Sequence, residues 1–177
     1  MAIYNGKHVV FEETILIDSG YSYNPSTDNS DDNGCINNYE ISNIRNKLSS
    51  TILPKLSDNL TSQLTSTTIK TAKNGISTTL VSTSDKLFLP ACKEISTTPA
   101  YSVSQENNAL TTWTYWTTHT TQSDRIKYDS TSTARAYWLR SPKSDSTSYV
   151  ADINNNGLFD YNFARNIYTG ISSCFAW

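Results

Sequence analysis

Apolar and polar positions change period several times along the chain, and each change marks an element. Between His8 and Asp18 the groups Val9-Val10-Phe11 and Ile15-Leu16-Ile17 flank Glu12-Glu13-Thr14, which predicts one or two short strands. From Ser19 to Gly34 turn formers follow one another without a period, so this stretch reads as a loop or extended arm. Ile41, Ile44, Leu48 and Ile52 then recur at helical spacing behind Asn38 as a cap, giving an amphipathic helix. Pro54 suits the first turn of a second helix whose apolar stripe is Leu56, Leu60 and Leu64. Thr65 to Thr83 is rich in β-branched residues and carries the turn signal Asn74-Gly75, which predicts a hairpin.

Leu87-Phe88-Leu89 reads as a short buried strand stopped by Pro90, and Cys92 to Ile95 as one helical turn in which Glu94 is a candidate partner for an internal arginine. Between Ser96 and Thr133 the chain is polar, with no dominant period. It is interrupted by Tyr101, Trp113, Tyr115, Trp116, His119 and Tyr128, and such aromatics either anchor the loop or lie exposed as a binding platform; anchoring is the expectation, because an ordered long loop must bury something. The densest apolar point is Ala136-Tyr137-Trp138-Leu139-Arg140-Ser141-Pro142, a buried strand with Arg140 as a structural arginine paired to a carboxylate or to carbonyls. Tyr149 to Ile153, the turn Asn154 to Gly157, and Leu158 to Phe163 form a second hairpin, and Ile171 to Trp177 a closing strand.

Trp138-Leu139-Arg140-Ser141-Pro142, preceded by Asn38-Tyr39-Glu40-Ile41-Ser42-Asn43-Ile44-Arg45 and Asp85-Lys86-Leu87-Phe88-Leu89-Pro90, resembles a bacterial and phage domain family of uncharacterised function. Members of that family close on Gly-Val-Arg-Pro-Ala. Here the end reads Gly170-Ile171-Ser172-Ser173-Cys174-Phe175-Ala176-Trp177, so the role of that arginine is not carried over. The resemblance implies an α+β, C-type-lectin-like (sulfatase-modifying-factor-like) fold, with helices packed on a curved antiparallel sheet and long loops. It also implies a phage virion or bacterial surface protein. On this reading residues 1–34 are N-terminal strands and an attachment arm, and 35–177 the lectin-like domain.

Composition narrows the function classes. The 177 residues suit one core, and only 17% are charged, the polarity coming from Ser, Thr and Asn. A net charge of −2 without a cluster among the Lys and Arg residues argues against nucleic acid as a partner. The start lacks the pattern of a signal peptide, and no run approaches the ~18 apolar residues of a membrane helix, so neither membrane nor export is expected. Synthesis in the bacterial host cytoplasm and residence in the virion are the expectation. Cys35, Cys92 and Cys174 are far apart, without zinc or disulfide spacing, and read as free thiols.

Candidate chemistry is sparse. Asp152-x-Asn154-x-Asn156-Gly157-x-x-Asp160 imitates the start of a calcium loop, but the position for the bidentate glutamate is Phe163, and a hairpin turn accounts for the same residues. No metal or other cofactor is expected. His8 and His119 have no nucleophile elbow beside them, and Glu12-Glu13 and Asp31-Asp32 are adjacent rather than opposed across a site. An enzyme of the lectin-like class would need Cys92 and Cys174 together, and the chain is read as a non-enzyme. The functional signal is instead the concentration of Tyr149, Asn154, Asn155, Asp160, Tyr161, Asn162, Arg165, Asn166 and Tyr168, the mixture of amphipathic rings and adaptable amides used in recognition surfaces. The leading expectation is a homo-oligomeric virion protein binding a host surface glycan or protein through this stretch. The alternative is a capsid decoration or tail-attachment component that uses the same face against other virion subunits.

Overall fold

The computed structural model describes residues 2–4, 7–11, 15, 20–24 and 35–177. The elements run β1 (Ala2–Tyr4), β2 (Lys7–Phe11), α1 (Asn43–Lys47), a π-helical turn (Leu48–Ile52), a 3-10 turn (Leu53–Lys55), α2 (Asp58–Gln63), β3 (Thr67–Ala72), β4 (Leu80–Asp85) and β5 (Leu87–Phe88). There follow α3 (Ser104–Ala109), 3-10 turns at Thr114–Thr117 and Ser123–Arg125, β6 (Lys127–Tyr128), β7 (Ala134–Arg135), β8 (Tyr137–Pro142), β9 (Tyr149–Ile153), β10 (Phe159–Phe163) and β11 (Cys174–Ala176). The fold is α+β. Instead of one curved sheet, the described strands divide into antiparallel sheets ordered β1-β2-β11-β5, β10-β9-β8, β3-β4 and β6-β7.

The expected helices are present but start later and are shorter. Ser42 caps α1, its Oγ accepting from the N–H of Arg45 at 3.1 Å, so Ile41 lies ahead of the helix and is 59% exposed. Asn38 instead closes a turn, accepting from the N–H of Glu40. Ile44, Leu48 and Ile52 do face the core. Pro54 sits in the 3-10 turn, and the second helix is capped by Ser57 with Asp58 in its first turn, where a carboxylate favours the helix dipole. Between Ser96 and Thr133 lies α3, which the apolar pattern could not reveal because its buried residue is Glu106. Trp113 and Trp116 anchor this region by burial, as expected, whereas Tyr101, Tyr115 and Tyr128 are exposed and do not.

The first strand of the Val9–Ile17 region pairs with the closing strand, Val10 opposite Phe175 and Phe11 opposite Cys174. Of its second half only Ile15 is described, and it is buried. The stretch read as an arm begins as part of the core. Gly20 and Asn24 donate to the carbonyls of Ile167 and Ala164, and the Tyr23 ring is buried edge-on to Trp138 at 5.6 Å. Residues 16–19 and 25–34 lie outside the described residues, as do Glu12-Glu13, Asp31-Asp32 and the side chain of His8.

The centre is β8, buried along its whole length. Arg140 on this strand is fully enclosed. Its guanidinium makes a bidentate pair with Glu94, Nη1 to Oε2 and Nη2 to Oε1 both at 2.6 Å, and also donates to the carbonyls of Leu89 and Lys70. The expected pairing of Glu94 with an internal arginine is therefore found. Beside it the Ser141 hydroxyl donates to Glu106 Oε1 and accepts from the N–H of Cys92, while Glu106 Oε2 takes the N–H of Ala72. These bonds tie β3, α3, the Cys92 turn and β8 together.

Breaking a buried pair leaves an uncompensated charge and costs ~3–5 kcal/mol, whereas replacing both partners by apolar residues removes the desolvation penalty as well. Urea unfolding should thus show Arg140→Met losing about 3–5 kcal/mol, with Arg140→Met/Glu94→Leu regaining a substantial part. A double variant no more stable than the single one would place the loss in the bonds to Leu89 and Lys70.

Candidate functional site

The β9–β10 hairpin carries most of the residues singled out from the sequence, and strand alternation divides them between its faces. Register places Phe163 opposite Tyr149, Tyr161 opposite Ala151 and Phe159 opposite Ile153 on one face, and Asn162 opposite Val150 and Asp160 opposite Asp152 on the other. Asn154 and Asn155 are at the tip, and Arg165, Asn166 and Tyr168 are in the following loop. The nine are therefore not one surface.

On the first face the rings form a continuous, partly exposed strip. Tyr149 stacks on Phe163 at 4.1 Å between centroids, Tyr161 meets Tyr149 edge-on at 5.3 Å, and Tyr101 meets Tyr161 edge-on at 5.0 Å. The Arg165 guanidinium lies 5.0 Å over Phe163, and Lys143 Nζ lies 4.9 Å from the Tyr161 centroid. Tyr101, Phe163 and Lys143 were not among the expected site residues. Tyr101 comes from the distant Ser96–Thr133 loop, and nothing in its local sequence links it to the hairpin.

Tyr101 is held at φ +65°, a left-handed conformation that costs a bulky residue of order 1–3 kcal/mol. Its carbonyl accepts from the N–H of Ser144 at 2.6 Å, and Ser102 bridges to Lys143. The supporting loop is pinned from behind by Gly75, whose carbonyl accepts from Asp145, itself at φ +63°. A Cβ on Gly75 would lie 1.7 Å from the Lys143 carbonyl oxygen, so glycine is needed here for close approach between two backbones.

On the opposite face Asp152 is fully buried. One carboxylate oxygen, Oδ2, accepts from Asn162 Nδ2 at 2.5 Å, while Oδ1 has no hydrogen-bond partner. Burial pushes the Asp152 carboxyl up to about 7, with Asp160 across the strand pair adding to the rise and the Asn162 bond opposing it. Asn162 Oδ1 in turn accepts from Asn166 Nδ2.

At the tip, Asn154 Oδ1 accepts from the N–H groups of Asn156 and Leu158, and Gly157 turns the chain at φ +80°. Of the residues that imitate a calcium loop, Asn154 is thus committed to the turn while Asp152 and Asp160 lie in the strands, and among the described residues no three His, Cys, Asp or Glu side chains gather to hold a metal. The thiols are equally withdrawn. Cys35, Cys92 and Cys174 are buried and not joined in disulfides, and burial, reinforced by nearby Glu106, raises the Cys92 thiol well above the usual range. His119 lies flat on Tyr115, ring centroids 3.8 Å apart. Among the described residues no helix is long and apolar enough to cross a membrane.

Short antiparallel sheets, few helices and a hairpin with a partly exposed aromatic face define a small α+β domain. The chain belongs to the family described as a domain of unknown function, DUF6273, which it matches over residues 5–176. No curated protein and no solved structure matches it.

The raised Asp152 carboxyl makes a signed prediction. An ordinary aspartate titrates near 3.9, so between about pH 4 and pH 7 the folded chain holds a proton that the unfolded chain has released, and stability falls as pH rises through that window. The full penalty, of order 4 kcal/mol, is reached above about pH 7. Denaturant titrations across this range should show that decline in the native chain and a flatter profile in Asp152→Asn. Identical profiles would mean that Asp152 titrates normally.

Proposed function

We propose that this domain is a non-enzymatic phage virion or bacterial surface protein that recognises a host surface glycan through the aromatic strip of its C-terminal hairpin. The observation that carries this reading is the contiguous row Phe163, Tyr149, Tyr161 and Tyr101, flanked by Arg165 and Lys143. Aromatic rings offer apolar area to the C–H faces of sugars at low cost in side-chain entropy, and hydroxyls and cations beside them hydrogen-bond the substituents. The strain at Tyr101 supports the same reading, since strained backbone concentrates where a side chain must be presented. Buried thiols and a histidine packed on a ring favour binding over nucleophilic chemistry. A C-type-lectin-like arrangement, suggested by the sequence resemblance, is compatible with short sheets joined by long ordered loops.

The second reading is a structural virion component that sets the same strip against neighbouring subunits. It draws support from Leu158, Ile167 and Tyr168, which add exposed apolar area along the hairpin tip and the adjoining loop. Light scattering and a glycan array on one purified sample separate the two. Recognition predicts saturable saccharide binding that weakens about tenfold or more in Tyr161→Ala, with the mass of the particle unchanged. Absence of saccharide binding, combined with self-association lost in the same variant, would make the strip a subunit contact.

A further inference from the structure

The hydrogen bonds leading away from Asp152 all run in one sense. Asn162 Nδ2 donates to Asp152 Oδ2 at 2.5 Å, Asn166 Nδ2 donates to Asn162 Oδ1 at 3.0 Å, and the backbone N–H of Tyr168 donates to Asn166 Oδ1 at 2.6 Å. Each link gives its hydrogen toward the buried carboxylate. The chain begins at a fully buried group and ends at Tyr168, which is 78% exposed. We infer that Asp152 is the positioning residue for the 164–168 loop, its carboxylate orienting Asn162, Asn162 orienting Asn166, and Asn166 fixing the backbone of Tyr168.

The orientation of a side-chain amide is set by the network around it, and this network runs from a backbone N–H that can only donate to a carboxyl group whose role changes with its proton. An ionised Asp152 only accepts, so it demands the Nδ2 side of Asn162 and strengthens that bond by its charge. A protonated Asp152 carries a hydroxyl that needs an acceptor, and Oδ1 makes no hydrogen bond in the fold. The acceptor at hand is the oxygen of Asn162 after an amide flip. That flip presents Nδ2 of Asn162 to Nδ2 of Asn166, Asn166 flips in response, and a donor then faces the N–H of Tyr168. The last bond is lost, and the loop is released at its exposed end.

The groups around Asp152 make its ionisation responsive near neutrality. Asp160 faces it from β10, the Tyr137 hydroxyl is within electrostatic reach from β8, and Trp138, its register partner on β8, brings an indole N–H without a partner. No lysine or arginine pairs with it among the described residues. The loop is therefore held above neutrality and loosened below it. Its meaning for recognition rests on the glycan-binding reading; the relay itself does not.

Hydrogen exchange on the full chain, resolved to single amides and corrected for intrinsic exchange, tests the relay without a ligand. Protection of the Tyr168 amide should rise about tenfold or more between about pH 5.5 and pH 8.5 in the native chain. Asp152→Asn should abolish that rise, and Asn166→Ala should remove the protection at every pH while the amides of β8 remain protected. The same pH profile in native chain and Asp152→Asn, or a protected Tyr168 amide in Asn166→Ala, would overturn the inference. A saccharide titration on the same sample keeps the two ideas separable. pH-dependent protection without saccharide binding rejects the recognition reading alone, and binding with pH-independent protection rejects the relay alone.

Discussion

The bidentate pair between Arg140 and Glu94 is the constraint on which the rest of the fold depends. A guanidinium taken wholly out of water needs acceptors for its donors, and here Glu94, Leu89 and Lys70 supply them in four hydrogen bonds. Those acceptors lie on the Cys92 turn, the end of the β5 segment and β3, which share no ladder with β8. The backbone of Arg140 is bound as well, its N–H to Pro90 and its carbonyl to the Tyr23 hydroxyl. With sheets this small, no ladder could hold the layers in register, and one charged side chain with fixed fork geometry does so. Glu106, also buried, lies close enough to feel Glu94, and burial raises its carboxyl above the usual range. The core therefore holds one buried charge pair and, beside it, a second buried acid whose two oxygens both accept hydrogen bonds.

From that centre the hairpin is carried outward by β8. Its first half is the innermost strand of the β10-β9-β8 sheet, and a register irregularity between Trp138 and Pro142 bends it so that Pro142 meets Val150. β9 is buried at four of its five positions and β10 is only partly buried, so exposure increases strand by strand away from Arg140. The aromatic strip lies where that gradient meets the Gly75 and Lys143 backbones. Its rigidity comes from cross-strand ring pairs and from a glycine that no other residue can replace without moving the loop.

Much of this was legible in the sequence where side-chain period and burial coincide. Leu87-Phe88, Tyr137 to Pro142, both hairpins and the buried tryptophans follow from apolar pattern and turn chemistry. Helix starts were misplaced where capping decided: Ser42 and Ser57 outcompete Asn38 and Pro54 because their hydroxyls reach an N–H three residues on. The helix Ser104–Ala109 was illegible because the residue it buries is an acid, and burial of Glu106 depends on Ser141 and Ala72, far away in sequence. Tyr101 was missed for the same reason, since its site is made by a long-range contact.

The candidate site shows a subtler limit. Composition located the right segment, yet a run of consecutive strand residues cannot form one face, because alternation sends Tyr161 and Phe163 to one side and Asp160 and Asn162 to the other. The division has a physical consequence for any ligand. The ring strip is braced by ring packing and close backbone contact. The loop beyond it is steadied by amide side chains that begin at a buried acid, and on the relay inferred above those amides reverse when the acid changes from acceptor to donor, at the expense of the bond to Tyr168. One hairpin thus presents a stiff surface and an adjustable one side by side, and the difference arises from which face of the same strands each residue occupies.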